Sequence, residues 1–195
     1  YKRQDEQEAD IIVINTCCFI HDAKEESVNT ILEMAEYKKT GPCKILIVTG
    51  CMAQRYKEEI TEEIPEVDAV LGTTSYGDIV KALNEAEAGH VFQEFKDINA
   101  LPEDSGRRVI TTGGHFGYLK IAEGCDKHCT YCIIPSLRGK FRSVPEERLL
   151  KQAEYMASQG VRELILVAQE TTVYGTDLYG KKTLHILLKK LCQIK

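Results

Sequence analysis

No stretch of the sequence approaches the roughly 18 consecutive apolar residues that a membrane-crossing helix needs, so nothing in it reads as a membrane anchor. There is no internal repeat and no low-complexity tract. An excess of positive charge is also missing: the formal net charge is −5, which argues against a general nucleic-acid binder. The chain does not begin with Met, so a targeting segment upstream stays open. Nor are the eight cysteines spread like a disulfide framework. With no sign of secretion, a reducing compartment such as the cytoplasm fits best. What remains is ordinary for a soluble globular protein of one or two domains: 195 residues, 43% hydrophobic and 28% charged.

The most informative stretch is Gly124-Cys125-Asp126-Lys127-His128-Cys129-Thr130-Tyr131-Cys132, which puts three thiols in eight residues with Cys-x3-Cys-x2-Cys spacing. Such a loop can fold three sulfurs around one point, and Gly124 relieves the backbone where it turns. Thiolates are soft ligands that select iron–sulfur clusters, zinc or copper(I). A four-iron cluster is normally held by four cysteines, so three would leave one iron open to a substrate or cofactor. The competing reading is a structural zinc knot with His128 as the fourth ligand. His128 directly precedes Cys129, however, and no second Cys-x2-Cys pair follows, as a zinc ribbon would have.

Before this loop, strands alternate with helices. Ile11 to Ile14 is an all-apolar, β-branched run that predicts a strand buried on both faces. The spacing of Ala23, Val28, Ile31, Leu32 and Ala35 predicts a helix over 22–39, capped by Asp22 and stopped by Gly41-Pro42. A second strand is expected over 44–49, a helix over 53–63, a strand over 67–71 and a helix over 77–88. This is an open α/β layer with a parallel sheet. Cys17 and Cys51 each follow the C-terminal end of a strand, the edge where such sheets bind ligands. Spacing alone leaves a second metal site there and two buried thiols equally open. Cys43 lies at the opposite edge and reads as a small buried hydrophobe. Cys18 reads as packing.

The pattern weakens from Val91 to Gly114, where the domain boundary is expected: 1–92 forms one domain, 93–115 a linker and 116–195 the next. In the second half a strand over 116–123 feeds the cysteine loop. Ser143-Val144-Pro145-Glu146 reads as a capping box opening a helix to about Gln159. A buried strand over 161–168 and a helix over 183–194 follow, the start of an (α/β) barrel. Gln169 should then neighbour the cysteine loop, since both follow strand ends. Arg138, Lys140 and Arg142 read first as a solvated loop and second as a substrate contact. His185 and Cys192 read as packing or surface, and no role attaches to His21, His90 or His115.

The cysteine spacing resembles the signature of the radical S-adenosylmethionine (SAM) enzymes. Asn15-Thr16-Cys17 with Phe19-Ile20, and Thr49-Gly50-Cys51-Met52-Ala53, resemble the N-terminal domain of one family among them, the methylthiotransferases. The resemblance implies two four-iron clusters and SAM. The first cluster would be held by Cys125, Cys129 and Cys132, with Tyr131 near the SAM adenine; Gln169, by its place at a strand end, reads either as a SAM contact or as a polar residue capping that end. The second would be held by Cys17 and Cys51, and no residue here matches the family's third ligand. The family often has Gly where this chain has Cys18, which makes Cys18 a stray ligand worth testing. The chain reads as truncated at both ends, with the domain's first strand and most of the barrel missing.

Ala122-Glu123-Gly124-Cys125, Ile133-Ile134-Pro135-Ser136-x-Arg138-Gly139 and Gln169-Glu170-Thr171-Thr172-x-Tyr174-Gly175 resemble the branch that modifies an aspartate of a small-subunit ribosomal protein, the RimO type. Another branch modifies adenosine in transfer RNA and tends to have Tyr where Ser136 stands. The resemblance implies a transferase that adds a methylthio group to an aspartate β-carbon, supplied with electrons by a donor such as flavodoxin or ferredoxin. Transfer RNA would be a partner only under the second branch, and a non-catalytic zinc-binding module is the alternative of another class. A chain lacking one ligand and most of the barrel is expected to be inactive alone. No catalytic acid or base is assigned, because chemistry at an unactivated C–H bond calls for a radical.

Overall fold

The computed structural model describes residues 5–101, 108–112 and 114–194. The chain divides into two compact units, Tyr1–Glu103 and Asp104–Lys195.

The first unit opens with β1 (Ile11–Thr16), α1 (His21–Thr40) and β2 (Ile45–Gly50). Then come α2 (Cys51–Tyr56), α3 (Glu58–Glu63), β3 (Ala69–Leu71), α4 (Ile79–Glu87) and β4 (Phe92–Glu94). The four strands form one sheet in the order β1-β2-β3-β4, every pair parallel. All six residues of β2 are buried, which is what an unbroken apolar run in a central strand dictates.

β1 departs from the expectation. It is an edge strand, and only Ile12, Ile14 and Thr16 are buried, while Ile11 is 42% and Val13 48% exposed. The register gives the reason. Ile11 and Val13 share a face with Ile45 and Ile47, and α4 covers that face through Ala82, Ile79 and Leu83 over β2 and β3. The opposite face of β1 and β2 packs against α1, whose buried residues are Ser27, Ile31 and Ala35. Leu32 is half-exposed.

Three local expectations change in this unit. Asp22 does not cap α1; Ile20 is the N-cap residue and makes no side-chain bond. The helix expected over 53–63 is two helices, broken at Lys57, whose φ of 39° is left-handed. The weakly patterned stretch after Val91 contains β4, with Gln93 paired to Val70. Three residues are too few to show a period.

The second unit contains β5 (Phe116–Lys120), β6 (Ala122–Glu123), α5 (Ile134–Arg138), β7 (Arg142–Ser143) and α6 (Glu146–Ser158). It ends with β8 (Glu163–Val167), α7 (Thr176–Tyr179) and α8 (Leu184–Leu191). β5 pairs with β8 in parallel, from Phe116 opposite Glu163 to Lys120 opposite Val167. The strand expected over 116–123 is broken at Ile121. Beyond it, β6 leaves β8 and pairs antiparallel with β7. Residues 164–167 of β8 are half-buried rather than buried, since among the described residues β8 pairs with β5 alone.

Ser143 is not a helix cap. Its hydroxyl bonds Asp177 Oδ1 at 2.6 Å, and its N–H bonds Asp177 Oδ2 at 2.8 Å. Pro145 takes the N-cap position of α6 instead.

Candidate metal sites

In the first unit the parallel register ends with Thr16 opposite Gly50. Cys17 and Cys51 are the next residue in each strand, so two neighbouring strands about 4.8 Å apart deliver them to one edge. Gly50 turns β2 directly into α2 at a φ of 99°, and a Cβ there would collide with the Thr16 carbonyl oxygen. Only glycine makes this turn without strain. Cys17 is exposed, and its backbone is bracketed by Ser27 of α1. Its N–H donates to Ser27 Oγ at 3.0 Å, and its carbonyl accepts from the Ser27 hydroxyl at 2.8 Å.

Cys51 is 9% and Cys18 2% exposed. Burial pushes the Cys18 thiol up, and Cys51 nearby adds to this, while Arg55 acts in the other direction. A cavity of about 400 Å³ beside them is lined by Cys18, Phe19, His21, Lys24, Val28 and Arg55, among others. Cys43 is buried at the far edge, bonded to the Ile45 carbonyl at 3.4 Å.

In the second unit the cysteine loop begins where β6 ends. Gly124 has a φ of 73°, and a Cβ would collide with the carbonyl oxygens of Gly139 and Lys140. The close approach lets the Cys125 N–H reach the Gly139 carbonyl at 3.1 Å. Asp126 Oδ1 accepts from the Phe141 N–H at 2.9 Å. The Lys127 N–H points at Cys125 Sγ, 3.4 Å away. Cys132 N–H bonds the Cys129 carbonyl at 3.0 Å, a turn that brings the second and third cysteines round before α5 starts.

Behind the loop lies a buried carboxylate, Glu123, at 4% exposure. Its Oε1 pairs with Lys120 and with Arg138 Nη1 at 3.4 Å. Arg142 Nη1 bonds the carbonyls of Arg138 at 3.0 Å and Lys140 at 2.5 Å. Arg138 and Arg142, both partly buried, therefore tie the loop's base internally, while Lys140 is exposed.

The other wall is the segment after β8. Gln169 is partly buried, and its Oε1 is sealed from solvent without a hydrogen-bond partner among the described residues. Glu170 forms an ion pair with Lys127 and accepts from the N–H and hydroxyl of Thr172. These bonds hold its carboxyl down to about 2. Tyr174 is fully buried, its hydroxyl donating to the Val144 carbonyl at 2.9 Å, and burial pushes its pKa up. Tyr131 is 86% exposed. His90 meets Glu85 at 3.2 Å.

Both sites are built of free thiols, soft donors suited to iron and sulfide. Among the described residues no three His, Cys, Asp or Glu side chains already converge on one point. By donor chemistry and by placement on accessible loops, Cys125, Cys129 and Cys132 fit an iron–sulfur cluster. Ser27, Asp126, Lys127 and Glu170 were not singled out by sequence reasoning. Each acts through a partner distant in sequence, and spacing carries no signal of that.

The three-cysteine loop follows β5 by way of the short β6, with β8 parallel to β5, an arrangement in keeping with the radical SAM class that the cysteine spacing resembles. Residues 119–194 match the Radical SAM superfamily, and residues 1–72 match the uncharacterized protein family UPF0004. The chain is 67% identical to the ribosomal protein uS12 methylthiotransferase RimO of Lachnoclostridium phytofermentans, across 97% of this chain and 43% of that protein. It is 52% identical to the protein of the same name from Clostridioides difficile, with the same coverage. For that of Clostridium botulinum strain Hall the identity is 47%, over 98% of this chain and 43% of the relative. The chain thus spans well under half the length of the curated relatives it matches. It belongs to the methylthiotransferase family of radical SAM enzymes and is similar to its RimO members.

Proposed function

We propose that the chain contributes the cluster-binding part of a methylthiotransferase acting on the ribosomal protein uS12. Residues 1–92 form the methylthiotransferase domain, 93–115 the linker and 116–195 the radical SAM core. Cys125, Cys129 and Cys132 hold one four-iron cluster. Cys17 and Cys51 contribute to a second. When bound there, the first group would supply one-electron reduction of SAM for chemistry at an aspartate β-carbon, and the second would supply sulfur.

The protein's own part is to bind and orient these groups. Gly124, Asp126 and Arg138 fix the base of the cysteine loop, and Ser27 fixes Cys17. Gln169 offers SAM an acceptor that has no partner within the described residues, while Tyr131 is free to lie against the adenine. A flavodoxin or ferredoxin is the expected electron donor. Eight free thiols suit the cytoplasm.

One observation carries most of the weight. The Cys-x3-Cys-x2-Cys loop sits on the carboxyl edge of β5 and β8 in a chain 67% identical to a protein named for uS12 methylthiolation. The test is mass spectrometry of uS12 from cells lacking the gene. Loss of the methylthio group, with transfer-RNA nucleosides unchanged, is expected. Retention of that group together with loss of a methylthio-adenosine would move the substrate to transfer RNA.

A further inference from the structure

Two residues of the cysteine loop that carry no thiol govern where it sits. Asp126 bonds the N–H of Phe141, itself buried, and so fixes the loop's inner side. Lys127 reaches the other way, to Glu170, 43 residues further along the chain. The two ends of this ion pair differ in freedom. The Glu170 side chain is 14% exposed and Lys127 62%.

Glu170 sits on a segment fixed on both sides. Before it, β8 is paired with β5, and Ile121 N–H bonds the Val167 carbonyl at 2.9 Å. After it, Tyr174 is buried and bonded to Val144, and Gly175 N–H bonds Ser143 Oγ at 2.9 Å. Glu170 is therefore the anchor and Lys127 the tethered end. Lys127 stands two residues from Cys125 and two from Cys129, with its N–H on Cys125 Sγ. Glu170 also directly follows Gln169, whose Oε1 has no hydrogen-bond partner among the described residues.

From this geometry we infer that Glu170 is a positioning residue. Through Lys127 it ties the cysteine loop to the end of β8, and it holds the Lys127 cation beside the cluster-binding thiolates. The inference rests on the cluster reading proposed above. Two consequences follow. The distance between the thiols and Gln169 is set by the ion pair, so SAM affinity depends on it. A fixed cation next to a negatively charged cluster favours the reduced state, because net charge near the sulfurs helps set a cluster's potential.

The test uses the protein reconstituted anaerobically with iron and sulfide, as wild type and as K127M, K127R and E170Q. SAM binding is measured by equilibrium dialysis and the cluster potential by an EPR-monitored redox titration. K127M and E170Q are expected to weaken SAM binding about 2- to 5-fold, the size of effect when a partly exposed ion pair is lost. K127M should also shift the potential to more negative values, and K127R should keep both properties. In the metal-free protein, E170Q should speed hydrogen exchange at the Lys127 amide. A cluster retained with wild-type potential and SAM affinity in K127M and E170Q overturns this inference and leaves the cluster reading standing. A wild-type protein that takes up no iron–sulfur cluster overturns both.

Discussion

Replacing Gly124 by Ala should loosen the cysteine loop, and the cost divides into parts. The residue stands at a φ of 73°, where an L side chain is penalised by about 1–2 kcal/mol. The new Cβ also meets two backbone carbonyl oxygens, those of Gly139 and Lys140, which cannot rotate aside as a flexible side chain could. The backbones must part, and the bond from Cys125 N–H to the Gly139 carbonyl goes with them, for about another 1 kcal/mol. The total is about 2–3 kcal/mol. Gly180 supplies the control: its φ is 67°, and a Cβ there meets nothing within 4 Å, so G180A should cost only the backbone part, about 1–2 kcal/mol. Urea unfolding of the metal-free protein, followed by NMR signals of the second unit, measures both. If G124A stays within about 0.5 kcal/mol of wild type, the usual range for an inconsequential surface change, the close packing of the loop's base is refuted.

Other outcomes follow from the same structure. Y174F removes a buried hydroxyl and leaves the Val144 carbonyl without that donor, which should lower the second unit's stability by about 1–2 kcal/mol without changing iron uptake; calorimetry and iron assay read the two. D68N weakens the pair with Lys38 Nζ, 2.6 Å from both carboxylate oxygens, next to the Leu46 N–H at 2.8 Å. It should destabilise the first unit by about 1–3 kcal/mol in thermal unfolding. Glu170 gives a pH dependence. Its pKa is depressed from 4.5 to about 2, so the stability it adds is complete above its unfolded value and is lost as the pH falls from 4.5 towards 2. Carboxyl-carbon NMR should find its midpoint near 2, and a midpoint above 4 would show that the ion pair does not hold in solution.

The alternation of strand and helix was legible because four-residue apolar runs such as Ile45 to Val48 have no other reading between turn signals. The edge position of Cys17 and Cys51 followed directly, since a residue just past a parallel strand has nowhere else to be. β1 misled because an all-apolar run does not reveal which face a helix will cover. The break at Lys57 and the short β4 left no period to detect. The local pattern at Ser143 reads as a cap, but Asp177, 34 residues away, takes both its hydroxyl and its N–H. The same blindness hid the polar ties of the cysteine loop. Three thiols in eight residues name a chemistry by spacing alone, whereas Lys127 and Glu170 meet only after β5 and β8 have paired.

The most direct measurement is the iron, acid-labile sulfide and zinc content per chain after anaerobic reconstitution, with the triple variant C125A/C129A/C132A alongside. A cluster on the cysteine loop predicts about four irons and matching sulfide that disappear in the variant, and about eight if Cys17 and Cys51 also hold one. Zinc without sulfide, or an iron content that loss of all three cysteines leaves unchanged, would contradict it.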